Sequence, residues 1–272
     1  MSGKDTQYDK IDSAELVESA YHVDDDDQYN CMLSELHRRG GQVEFCLAMS
    51  LVRSDDALRR EIGAQILGRL GWEKDSFHDE SVDVLISLLG DECDDVVEVS
   101  AFGLGLRHSK EAIPHLLKLL GHAASDVRHG VAYGLSGYDD ELAVSGLITL
   151  SDDEDDEVRN WAIFGLGQQC EMDSPEIRSV FVKHLNERNP EIRGEAMIGL
   201  ALRKDMRVKP AIIQELEGEL HGTWAMEAAR KYPDPDFISL LKQVRIEQAE
   251  GIDEYMIGCI DDAIAACVEG VG

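Results

Sequence analysis

Six consecutive acidic residues (Asp152 to Glu157), four histidines at seven-residue intervals and six cysteines are the groups in this chain best suited to chemistry. A carboxylate run suggests a hard cation held by several oxygens. Residues 152–157, however, do not continue into the spaced ligands and glycine of an EF-hand loop. His108, His115, His122 and His129 recur every seven residues, but the helix assignment below puts them on different helices and turns, where that interval gives no common face. No HExxH occurs, so no metal site is expected. Cys31, Cys46, Cys93, Cys170, Cys259 and Cys267 contain no CxxC pair and lie in or beside apolar stretches, which reads as reduced, apolar fillers. There is no GxSxG, and no Ser or Cys stands in a recognisable nucleophile context. The residues therefore predict no catalytic group and no cofactor, and a protein that is not an enzyme.

A chain of 272 residues, 43% of them apolar, has enough material for a substantial core. Its 55 acidic residues against 26 basic ones leave a formal charge of -29. Binding that neutralises phosphates draws on Lys/Arg clusters, so DNA, RNA and anionic membranes are poor partners. The same field speeds encounter with a basic protein, although it also serves solubility alone. The opening MSGKDTQYDKIDSAEL has no apolar core of signal-peptide length, and no segment is apolar for the length of a membrane span. The expectation is a soluble, cytoplasmic monomer. With no Pro/Gly/Ser-rich linker to divide it, residues 1–272 are expected to form one continuous domain.

The elements that would position any site repeat. An aliphatic residue, often followed by Arg, opens LRREIGAQILG at Leu58, VVEVSAFGLG at Val96, VRHGVAYGLS at Val127, VRNWAIFGLG at Val158 and IRGEAMIGLA at Ile192. These anchors are 38, 31, 31 and 34 residues apart, the length of two short helices with turns. Between them lie apolar segments over 81–89, 112–120, 141–150, 176–185 and 207–216, whose Leu, Ile and Val spacings of three and four predict amphipathic helices. Pro114, Pro175 and Pro210 near their starts fit the first helical turn. Acidic residues precede most anchors, where they can cap the helix and meet its dipole. Residues 27–53 read as an N-terminal hairpin, 223–244 as a degenerate C-terminal one, and 253–268 as a closing helix. The first residues and the DDDD run at 24–27 are expected to be loop or frayed tail.

The pattern acidic-x-x-V-R-x-x-A-x-x-x-L-G followed by an apolar helix, carried most fully by DDEVRNWAIFGLG (155–167) and NPEIRGEAMIGLALRKDMRV (189–208), resembles the HEAT-repeat family, specifically the short bacterial type also found in phycobilin lyases. The resemblance spans roughly residues 28–245 and implies an all-α, right-handed solenoid of stacked antiparallel helix pairs. RRGGQVEFCLAMSLVRSDDALRREIGAQILGRLG (38–71), EVRNWAIFGLG and EAMIGLALRKDMRV are similar, more narrowly, to HEAT-repeat immunity proteins of Rhs-type polymorphic toxin systems. That resemblance implies a protein that occludes a cognate toxin in the producing cell. A bilin lyase-like enzyme and a generic assembly scaffold are the alternatives. The repeated His-Glu dipeptides of the HEAT-repeat iron hydroxylases are missing, and the charge balance opposes the basic cleft of the HEAT-like DNA glycosylases.

The family commonly places an Arg just after the anchor to bridge neighbouring repeats. Arg59, Arg128, Arg159 and Arg193 fit that place, and Val97 interrupts it. By helical spacing, positions 0, +4, +8 and +11 face the core, leaving +2, +3, +6 and +10 on the other side. The resemblance makes that side the concave one. Column +6 then holds Ala64, Phe102, Tyr133, Phe164 and Ile198, and column +3 holds Glu61, Val99, Gly130, Trp161 and Glu195. Phe102, Tyr133, Trp161, Phe164 and Ile198, with Glu61, Glu98 and Glu195 beside them, are the expected partner-binding residues, since aromatic side chains anchor interfaces. The competing expectation is that neighbouring helices cover these rings.

Overall fold

The computed structural model describes residues 8–71, 74–218, 222–247 and 254–269, and every regular element among them is a helix. The chain divides into two compact units, Met1–Tyr138 and Asp139–Gly272. The first contains α1 (Ser13–His22), α2 (Asp26–Arg39), α3 (Gln42–Leu51), α4 (Ala57–Arg69), α5 (His78–Leu88), α6 (Asp94–Arg107), α7 (Ile113–Leu116) and α8 (Ser125–Leu135). Here α4 packs along α6 and α6 along α8, with α5 and α7 as the second helices of their repeats. The second unit contains α9 (Glu141–Leu150), α10 (Asp156–Phe164), α11 (Pro175–His184), α12 (Pro190–Leu202), α13 (Lys209–Leu216), α14 (Thr223–Lys231), α15 (Phe237–Glu247) and α16 (Glu254–Glu269). In it α12 packs along both α10 and α14, and α14 along α16. Each unit is thus a run of helical hairpins in which one helix per repeat lies beside its counterpart in the next.

Short polar side chains start the helices. Asp56 accepts from the Arg59 N–H, Asp155 from those of Glu157 and Val158, and Asn189 from that of Glu191. Asp94, Asp95 and Asp126 lie inside the first turns of α6 and α8, where they meet the positive end of the dipole without capping. Two expectations change. Ser13–His22 is helical and buries Leu16, Val17 and Ala20, while Asp25 caps α2, so the DDDD run opens a helix where fraying was expected. The remainder of the expected tail, residues 1–7, lies outside the described residues. The segment 112–120 is no continuous amphipathic helix: the four-residue α7, with Pro114 in its first turn, is flanked by 3-10 turns at Lys110–Ala112 and Leu117–Leu119.

The first repeat starts one residue later than its sequence suggests. Leu58 is 41% exposed, whereas Ala64, expected to face outward, is 0% exposed. With Arg59 as position zero, three contacts recur in the same register. The glycine at +9 meets the glycine at +7 of the next repeat: a Cβ added to Gly68 would lie 2.9 Å from Gly103 Cα, and one added to Gly105 would lie 2.9 Å from Gly134 Cα. The donor at +11 reaches the helix-end carbonyl at +8 of the preceding repeat. Arg107 donates to Leu67 O at 2.8 Å, the Tyr138 hydroxyl lies 3.5 Å from Leu104 O, and Arg203 donates to Leu166 O at 2.8 Å. The arginine at +1 curls back to carbonyls ahead of its own helix: Arg60 to Ser54 and Asp55, Arg128 to His122 and Ala123, Arg159 to Asp153 and Glu154, Arg193 to Glu187.

Three of the +1 arginines also reach carboxylates beyond their own helix. Arg60 pairs with Asp91 at 2.8 Å, Arg159 approaches Glu187 at 3.6 Å, and Arg193 pairs with Glu215. Arg59 is displaced from this ladder by the one-residue shift. It pairs instead with Glu18 of α1 at 2.7 Å and lies over the Tyr21 ring. Val97 occupies the ladder position in the second repeat and is buried.

Candidate partner-binding site

In the first unit, Phe102 of α6 and Tyr133 of α8 occupy the +6 positions of adjacent repeats. They stack with centroids 3.7 Å apart and planes inclined by 17°, and both rings are half-buried. The corrected register puts Gln65 in this column ahead of them. It accepts from the Tyr29 hydroxyl and donates to Glu61. Glu61 and Glu98 share position +2, one helix apart. Burial, reinforced by the charges of Asp95 and Glu98, pushes the Glu61 carboxyl up from its ordinary range. Glu98 lies 3.5 Å from His129 Nδ1. Beneath Phe102 is a cavity of about 350 Å³, whose polar lining includes Asn30, His37, Gln65, Arg69, Glu98 and His129.

In the second unit, Trp161 and Phe164 sit one turn apart on α10, edge to face at 5.5 Å and half-buried. Ile198 does not join them at the surface. It is 4% exposed and belongs to the core of its unit, which corrects the expectation that the whole +6 column faces a partner. Glu195 is half-buried and already engaged, accepting from Gln168 Nε2 at 2.6 Å and from the Trp224 indole N–H at 3.3 Å. Burial pushes its carboxyl up as well. Trp224, absent from the expected site residues, packs over Gly194 so closely that an added Cβ would lie 2.3 Å from its ring. Glu195 therefore locks α12 to α14, whereas in the first unit Glu61 accepts from Gln65 and Glu98 faces His129, neither forming an ion pair with a Lys or Arg among the described residues.

Four of the six carboxylates in the acidic run that opens α10 are engaged in structure. Asp155 caps the helix, Asp153 accepts from the Asp155 N–H, Asp156 binds Arg159 and Asn189, and Asp152 binds Lys183. Among the described residues, no group of three His, Cys, Asp or Glu side chains is arranged to hold a metal ion. The evenly spaced histidines are dispersed: His108 stacks on Tyr138, His122 accepts from the Ala124 N–H, and His129 faces Glu98. All six cysteines are free thiols. Cys170 and Cys267 are buried as expected, whereas Cys31 and Cys46 are exposed.

The recurring hairpin and its arginine ladder define a class of repeat protein. The family model for HEAT repeats matches residues 82–167 and 144–220, together just over half of the chain. The chain belongs to the HEAT-repeat family. Protein YibA of Escherichia coli (strain K12) is 38% identical over 69 residues, so the aligned part is about a quarter of this chain and about a quarter of that relative's length. The X-ray structure of Escherichia coli YibA superposes with a TM-score of 0.69 at 25% identity, covering 97% of this chain and 99% of that one. The CpcE–CpcF complex of phycocyanin lyase from Nostoc sp. PCC7120 gives a TM-score of 0.51 at 16% identity, with 98% of each chain covered. At that identity the likeness is one of fold alone. No helix among the described residues is long and apolar enough to cross a membrane.

Proposed function

We propose that this chain is a non-enzymatic protein-binding solenoid that acts in the cytoplasm as a monomer, an immunity protein that binds and neutralises a basic toxin in the cell producing it. One observation carries the reading. The stacked Phe102–Tyr133 pair and the Trp161–Phe164 pair remain half-exposed in a chain of net charge -29, and among the described residues Glu61 and Glu98, near the first pair, form no ion pair with a Lys or Arg. Half-exposed rings beside such carboxylates suit a partner that brings apolar area and positive charge together. The resemblance of 38–71 and of the two later anchor helices to the Rhs-associated group supplies the toxin part of the proposal.

The test is protection. Cells expressing a cognate, basic Rhs-type toxin domain are expected to grow when the wild-type chain is co-expressed and to die with the Trp161→Ala, Phe164→Ala double variant at equal protein level. Equal protection by both would remove this face from the proposal, and no protection by either would remove the immunity role. The lyase-like alternative rests on fold likeness to the phycocyanin lyase complex. It requires the purified chain to change the absorbance of an added bilin.

A further inference from the structure

We propose that the cavity beneath Phe102 is a socket for one arginine side chain of the protein partner. This rests on the protein-binding reading above and gives it a specific anchor. The cavity, about 350 Å³, lies wholly in the first unit, between α2, α4, α6 and α8. Its volume is at the lower end of the range for small ligands and exceeds what one guanidinium and its stem require. Its lining combines an apolar floor, Leu33, Val99 and Leu106, with polar groups that converge from separate helices.

Phe102 forms the wall. One side of its ring is stacked on Tyr133, yet the residue still lines the cavity while Tyr133 does not. Glu98 stands one turn before it on α6, and Glu61 and Asp95 are near enough for their charges to act on one another. Among the described residues, no lysine or arginine forms an ion pair with any of these three carboxylates, whereas Glu35, Asp91, Asp205 and Asp234 each have one. Holding like charges together on a half-buried surface opposes folding, and an incoming cation relieves that repulsion.

Arginine fits this lining better than lysine. A guanidinium is flat, weakly hydrated and able to lie on an aromatic face while its edge meets a carboxylate. Of the charged groups that line the cavity, Arg69 comes from α4, and Glu98 comes from α6 with His129 3.5 Å from it, so the guanidinium is placed at the carboxylate of Glu98. The stem of the entering side chain then lies along Val99 and Leu106.

The experiment uses the full chain and two probes, Nα-acetyl-arginine amide and its neutral isostere Nα-acetyl-citrulline amide, with the methyl resonances of Val99 and Leu106 as the readout. The arginine probe is expected to shift both in a saturable way. The citrulline probe is expected to bind about tenfold more weakly, and Glu98→Gln to weaken arginine by a similar factor. Phe102→Leu, which keeps an apolar wall but removes the aromatic face, is expected to do the same. Equal binding of the two probes, undiminished arginine binding by a folded Glu98→Gln variant, or no shift up to the solubility of the probe overturns the socket. A socket that fails while the toxin is still captured leaves the protein-binding reading standing. Arginine bound at these methyls with no toxin captured overturns the toxin reading and leaves the socket in place.

Discussion

Replacing Arg107 by methionine tests whether one ladder position is used by chemically different donors. Arg107 is buried, and its guanidinium donates to Leu67 O at 2.8 Å, Asp75 Oδ1 at 2.8 Å and Ser76 O at 3.3 Å. Methionine keeps most of the length and removes every donor. Leu67 O, at the end of α4, would then have no side-chain partner, and Asp75 would keep only His78. Breaking a buried charged pair costs about 3–5 kcal/mol. The Asp75 side chain is 58% exposed, which screens its share, so about 3 kcal/mol is expected. Tyr138 fills the same place one repeat later through a neutral hydroxyl, 3.1 Å from Ser109 O. Tyr138→Phe keeps the stacking on His108 and is expected to cost about 1 kcal/mol. Urea unfolding followed by circular dichroism, compared at unchanged m-value, measures both. If Arg107→Met costs no more than Tyr138→Phe, the ladder is a geometric coincidence and the register built on it fails.

Burial holds the His37 imidazole down at about 4, below its ordinary 6.5. The unfolded chain therefore takes up a proton first as pH falls, and stability that is full above 6.5 is lost as pH drops through 4, by about 3 kcal/mol. His37→Gln should flatten the difference in unfolding free energy between pH 7 and pH 4; an unchanged slope contradicts the assignment. Gly199 lies under the buried Phe181 ring, where an added Cβ would come within 2.6 Å. Gly199→Ala should therefore destabilise by about 1–3 kcal/mol despite alanine's higher helix propensity, and a melting temperature at or above wild type would show that the ring yields freely. Trp161→Ala with Phe164→Ala should leave helicity intact and lower the melting temperature only slightly, because both rings are half-exposed. A large drop would make them core residues.

The hairpin repeat is legible because an aliphatic anchor and a following Gly-Leu recur at similar spacing from Val96 to Ile192, although V-R-x-x-A itself stands in full only at Val158 and, with Ile as anchor, at Ile192. The register of the first repeat is not, because Leu58 is an apolar residue standing one place ahead of the true anchor. One signal marks the shift: Arg60 lies eight residues before Gly68, as Arg159 lies before Gly167. The +11 ladder leaves only a faint trace, the spacing shared by LGLR (104–107) and LALR (200–203), and a tyrosine in the same role hides it at position 138. Outward position is reflected in the half-burial of Phe102, Tyr133, Trp161 and Phe164, but the stacking of Phe102 on Tyr133 across two helices is not legible in the sequence. Ile198 failed because helical spacing alone does not tell how deeply a neighbouring repeat covers a side chain. The cavity could not be read from the sequence at all. Asn30, Arg69 and His129 come from three helices and meet only once those helices pack.

Calorimetric titration of the purified chain with basic Rhs-type toxin domains, repeated over a salt series, tests the proposed binding of a toxin by the aromatic pairs. Such binding implies a saturable complex that weakens as salt rises and is lost in the Trp161→Ala, Phe164→Ala variant. A complex that is indifferent to salt and unchanged by the double substitution would contradict it.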